Sequence, residues 1–130
     1  MCEVIMAKAS PKKPRWLSNV EKHCYPAAAS YLSLIFSKSR VDGFVDALRD
    51  AKPTRFMAKD IFRASKLSLL GISNSHVERD RRKIREGIRL SPLLLVRDRE
   101  NRLVIIADGY HRLCAVYGYD EDAWVPCKIV

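Results

Sequence analysis

Apolar runs short enough for strands alternate along this chain with stretches whose apolar residues recur every three or four positions. Residues 103–107 are unbroken apolar sequence and predict a buried strand. The run breaks at Asp108-Gly109, and residues 110–117 then carry helical spacing, with Leu113, Cys114, Val116 and Tyr117 on the core side. Residues 90–96 predict a second buried strand, entered through Pro92 where no ladder donor is needed. Residues 125–130 predict a third, and the polar run 97–102 reads as the hairpin loop between the first two. Residues 54–58 suit a short strand, followed by one helical turn over 59–64 with Ile61 and Phe62 inward.

The remaining periodicity is helical. Pro26 suits the first position of a helix running to about Phe36, with Ala27, Tyr31, Leu34 and Ile35 at core spacing. Ser39 caps a second helix whose stripe is Val41, Phe44, Val45 and Leu48, ended by residues 50–53. Residues 67–72 read as a buried loop. Ser75 then caps a helix over 76–86, which Gly87 stops. Val77, Ile84 and Ile88 take one face of it, and His76, Arg79 and Lys83, at i, i+3 and i+7, line a neighbouring face. Gly118 serves as the stop of the 110–117 helix. The fold class is therefore α/β (α+β), a small mixed sheet flanked by helices. A basic flexible tail over 1–15 and an N-terminal helical extension over 16–53 precede the core.

Composition narrows the function classes. At 130 residues, 48% hydrophobic and 30% charged, the chain predicts one compact soluble domain and excludes wholesale disorder. No apolar run approaches the roughly 20 residues that span a bilayer, and the start lacks the pattern of a secretory signal, so a cytoplasmic protein without a membrane partner is expected. The four cysteines show no C-x-x-C pair and no histidine at metal-ligand spacing, which argues against structural zinc. A net charge of +9 favours anionic partners: nucleotides, nucleic acid or acidic surfaces.

The strand–turn–helix at Asp108 is where that charge acquires chemistry. A helix starting directly from a strand leaves its first amides unpaired at the positive end of its dipole, which suits a phosphate. Gly109 lets the backbone come close, Tyr110 contributes an amide, and His111 and Arg112 add side-chain donors. The alternative is structural: Asp108 as N-cap, Gly109 as a turn residue and Arg112 as a solvated side chain. His76, Arg79 and Lys83 are equally a solvated face unless they meet that turn.

The order helix, strand with proline, polar hairpin, apolar strand, D-G-x-H-R, helix and final V-P-x-x-I resembles the ParB/sulfiredoxin-like superfamily over residues 54–130. Tyr25-Pro-Ala-Ala and Tyr31-Leu-Ser-Leu extend the resemblance to small bacterial ParB-like proteins. It implies a nucleotide cradle, ATP or another nucleotide with Mg²⁺, in which Gly109, Tyr110, His111 and Arg112 hold phosphates and His76, Arg79 and Lys83 complete the site. By similarity to the free-serine kinases of the superfamily, it implies Asp108 as magnesium ligand and Glu78 as catalytic base. Sulfiredoxin's nucleophilic cysteine is replaced here by Tyr110, with Cys114 about 6 Å further along the helix, so reductase chemistry does not carry over. Nor does centromere binding, because the chain ends without a helix-turn-helix domain. The expected function is a nucleotide-binding module, extending to NTP hydrolysis or phosphotransfer. The alternatives are a DNA- or RNA-binding protein that uses its basic surface, and a non-catalytic interaction module.

Overall fold

The computed structural model describes residues 13–69 and 74–130. In chain order its elements are β1 (Arg15–Trp16), α1 (Cys24–Leu32), α2 (Lys38–Asp50), β2 (Thr54–Met57), α3 (Ala58–Ser65), α4 (Ser75–Glu86), β3 (Arg89–Leu90), β4 (Leu93–Asp98), β5 (Leu103–Asp108), α5 (Tyr110–Tyr119) and β6 (Trp124–Ile129). Four strands form one sheet in the order β2-β6-β4-β5. β6 runs parallel to β4 and antiparallel to β2, while β4 and β5 form the antiparallel hairpin predicted from the polar 97–102 run. β1 pairs in parallel with β3 as a separate ribbon, so the ordered fold takes in Arg15, one residue before its expected start. The expected mixed α/β class is observed.

Both faces of the sheet are covered, and this is why β4 reads as a continuous apolar run. Leu93, Leu95, Ile106, Val125 and Cys127 pack with α3, α4 and α5 on one face. Leu94, Val96, Ile105 and Ala107 pack with α1 and α2 on the other. Cys114 and Cys127 are buried core residues, as their apolar neighbours predict.

Several boundaries and faces differ from expectation. α1 begins at Cys24, placing Pro26 inside its first turn, and it ends at Leu32. Its buried stripe is Cys24, Tyr25, Ala28 and Leu32; Ala27 is exposed, as are Tyr31, Leu34 and Ile35 at 42%, 82% and 47%. Nearly every position here is apolar, so the spacing supports two competing faces. Tertiary contacts choose between them: Cys24 Sγ meets Ser91 Oγ at 3.4 Å, and the Tyr25 hydroxyl accepts a bond from Lys128 Nζ at 3.1 Å. In α2, Ser37 rather than Ser39 stands at the N-cap, and Phe44 is half-buried against Phe36. Asn74 rather than Ser75 caps α4, its Oδ1 accepting from the His76 and Val77 amides at 3.0 and 3.2 Å.

Ile88 is exposed, and the buried place on α4 beside Val77 and Ile84 goes to Asp80. The expected single strand over 90–96 is split at Ser91-Pro92 into β3 and β4. α5 runs through Gly118 to Tyr119; a Cβ at Gly118 would stand 2.8 Å from Arg81 Nη1, so that glycine serves packing rather than termination. Leu67 and Leu69 are exposed rather than buried. Residues 1–12 of the tail and 70–73 of the loop and helix start lie outside the described residues.

Candidate functional site

The site is built where β5 hands the chain to α5. The β4–β5 register shifts between Leu94 and Leu95, so Asp108 stands opposite Leu94 instead of following the regular alternation. Such a bulge re-aims a side chain at a sheet edge. Gly109 then turns the chain with φ +108°, and a Cβ there would lie 2.6 Å from Leu93 Cγ and 2.9 Å from Arg112 Nη2. Only glycine fits both the backbone angle and the space.

Gly109 is itself the N-cap of α5 and has no side chain to satisfy the first-turn amides. Asp108 does not cap the helix, contrary to the structural alternative; its Oδ2 accepts from Arg112 Nη2 at 2.7 Å, with both side chains under a fifth exposed. Arg112 is therefore an inward side chain rather than a solvated one. Its Nε is buried with no hydrogen-bond partner among the described residues.

These groups open into a polar cleft of about 320 Å³. Its walls are the 108–112 turn, the α4 face of His76, Arg79, Asp80 and Lys83, the corner Arg89, Leu90 and Ser91, and Glu21 and His23 from the segment before α1. The α4 face picked out by spacing thus meets the turn. The His76 and His111 rings lie 4.9 Å apart, and Arg79 Nη2 is 2.9 Å from His76 Nδ1. Burial, then the neighbouring His76, hold His111 below the usual histidine range. Burial raises the Asp80 carboxyl above its usual range against the pull of Lys83, whose Nζ is 4.0 Å away. Four cations and three histidines face three carboxylates, so the balance favours an anion while part of the charge is paired internally.

Glu78 is not part of this wall. It projects from the opposite side of α4, accepting from Arg85 Nη2 at 3.0 Å and lying 3.9 Å from Arg81 Nε. The carboxylate that α4 does bring to the cleft is Asp80, four residues on from His76 and so on the same side of the helix. Ser91 and Arg89 reach the site through the strand break. Glu21 and His23 reach it through the docking of α1, and their ligand atoms and that of the buried Cys24 behind them lie within 4.8 Å of one another. Spacing analysis missed that trio because it follows no metal-site pattern, although His23 and Cys24 are neighbours in sequence.

Across the turn lies a second pocket of about 590 Å³, lined by Ala27, Tyr31, Leu67, Ser68, Ile106, Ala107 and the 108–111 turn. The Tyr110 hydroxyl donates to the Ser68 carbonyl. Burial, with Cys114 close by, pushes this phenol up to about 12, so it is protonated at neutral pH. Cys114 is itself buried in the helical core and does not line the cleft. Among the described residues no helix is long and apolar enough to cross a membrane. Compared with protein-family models, curated proteins and solved structures, the chain matches none.

Proposed function

We propose that this chain is a nucleotide-binding module of the ParB/sulfiredoxin-like type, with phosphates held at the Asp108–Arg112 turn. The observation that carries this reading is the uncapped first turn of α5, which opens at Gly109 directly into a cation-lined cleft beside a buried guanidinium. Phosphate oxygens there meet helix-end amides, Arg112, and Arg79, Lys83 and Arg89 across the cleft. The apolar pocket on the far side of the turn supports a ligand that joins an anionic part to a flat apolar one, as a nucleotide does.

The residues fit a phosphate better than a magnesium ion at Asp108, because that carboxylate already serves Arg112. Hydrolysis or phosphotransfer in this cleft would draw on Arg112 and Lys83 for charge stabilisation, with Asp80 rather than Glu78 as the α4 carboxylate in reach. Sulfiredoxin-type reduction is not proposed: Tyr110 offers no thiol.

The test is a thermal-shift panel of ATP, ADP, CTP and GTP with and without Mg²⁺, followed by titration of Arg112→Ala. Arg112→Ala is expected to cost about 2–3 kcal/mol of nucleotide affinity. The control is Arg99→Ala with Arg102→Ala, in the hairpin at the far end of β5. That strand is six residues long, which puts the pair roughly 20 Å away, beyond the screening length. The control should leave affinity unchanged. A nucleic-acid surface would show the reverse, with duplex binding lost in the hairpin variant and every nucleotide indifferent to Arg112→Ala.

A further inference from the structure

We propose that Glu21, His23 and Cys24 bind a zinc-class divalent cation at the rim of the cleft, with one coordination position open toward it. The trio supplies a carboxylate oxygen, an imidazole nitrogen and a thiol sulfur, the three ligand types that zinc takes from proteins. Their ligand atoms already lie within 4.8 Å of one another. Bonds of about 2.0–2.3 Å in a tetrahedral shell require only a modest closing of that span. Glu21 and His23 are exposed and able to swing, while Cys24 is a buried anchor.

The backbone holds this arrangement. Cys24 N–H donates to the Glu21 carbonyl at 3.0 Å, a turn that folds residue 21 back over residue 24. Ser91 Oγ accepts from the Glu21 amide at 3.0 Å and meets Cys24 Sγ at 3.4 Å, fastening the turn to the cleft. His23 stands at the N-cap of α1, and its side chain makes no capping bond.

Three protein ligands leave a fourth position for water or an incoming oxygen, the pattern of a reactive rather than a purely structural zinc site. Glu21 and His23 line the same cleft as Arg112, so that position faces whatever anion binds there. Thiolate and imidazole select zinc over magnesium or calcium, which separates this cation from the one expected at Asp108. On binding, a metal–sulfur bond replaces the S–H bond, and the proton passes to solvent.

The inference does not depend on nucleotide binding, so it is tested without nucleotide. Chelator-treated protein is titrated with Co²⁺ as the probe. The expected result is a saturable thiolate-to-cobalt charge-transfer band in the near ultraviolet, bled away by added Zn²⁺. Cys24→Ser should abolish the band, and His23→Ala and Glu21→Gln should each weaken binding about tenfold or more while circular dichroism stays unchanged. If Cys24→Ser does not fold, the two surface variants decide. No band in the wild type, or a band of undiminished affinity in both surface variants, would overturn the proposal.

Discussion

Each face of the sheet buries an apolar cluster, but the two differ in what else they bury. On the α1–α2 face the core is Leu32, Val41, Val45, Leu48, Leu94, Val96 and Ile105; its buried polar link is the neutral Cys24–Ser91 contact, and its charged one is Lys128, which reaches the Tyr25 hydroxyl and the Arg49 carbonyl. The α3–α4–α5 face buries Asp80 and leaves buried Nε atoms of Arg81 and Arg112 without a hydrogen bond among the described residues. A buried N–H without a hydrogen bond, and a carboxylate taken out of water, each cost stability even where an ion pair lies nearby. The contrast separates a layer whose buried groups are neutral from one that buries charged groups, Asp80 and Arg112 among them at the cleft.

The largest expected effects test the shared part of that comparison. Leu48 and Leu113 are both fully buried, one on each face. Leu48→Ala and Leu113→Ala should each lower unfolding free energy by about 2–5 kcal/mol in urea titrations. Only Leu113→Ala, one residue from Arg112, should also weaken nucleotide binding per folded molecule. Equal binding losses in the two variants would erase the distinction.

Glycine substitutions sharpen the comparison next. Gly109→Ala should destabilise by about 2–3 kcal/mol and abolish phosphate binding, because the new Cβ meets Leu93 in a left-handed turn. Gly43→Ala, on the exposed side of α2 with nothing within 4 Å, should stabilise by roughly 0.5–1 kcal/mol. Thermal melts of the pair read both signs.

Smaller still is the effect of Asp80. Its folded pKa is raised by burial above the ordinary 3.8. The folded state therefore binds more protons than the unfolded one between those two values, and the carboxylate costs stability above them. Asp80→Asn should stabilise the protein at neutral pH, with the gain vanishing as pH falls below 3.8, and should tighten anion binding. Stability measured across pH checks this: a gain that persists in acid would remove burial of the charge as its cause.

The least effect is expected from His111, which burial keeps neutral at pH 7. Phosphate affinity should rise as pH falls through the His111 titration, which burial sets below the ordinary histidine value, because the imidazole then gains its charge, and His111→Gln should flatten that rise in a pH series of titrations.

The strand–glycine–helix unit at 103–117, the β4–β5 hairpin and the α4 face of His76, Arg79 and Lys83 were legible in the sequence. Each depends on local periodicity or on a turn residue with one workable geometry, and local rules suffice for those. Which stripe of α1 is buried was not legible, since an almost wholly apolar helix has no preferred face until it docks. Nor was Asp80, whose place in the cleft looks like one more charge in a charged run until α4 packs on α5. Glu21, His23, Cys24 and Ser91 meet only because α1 lies against the sheet and Ser91 interrupts the β3–β4 run. Those contacts span about seventy residues of chain. Sequence spacing carries no record of such distances; packing alone sets them.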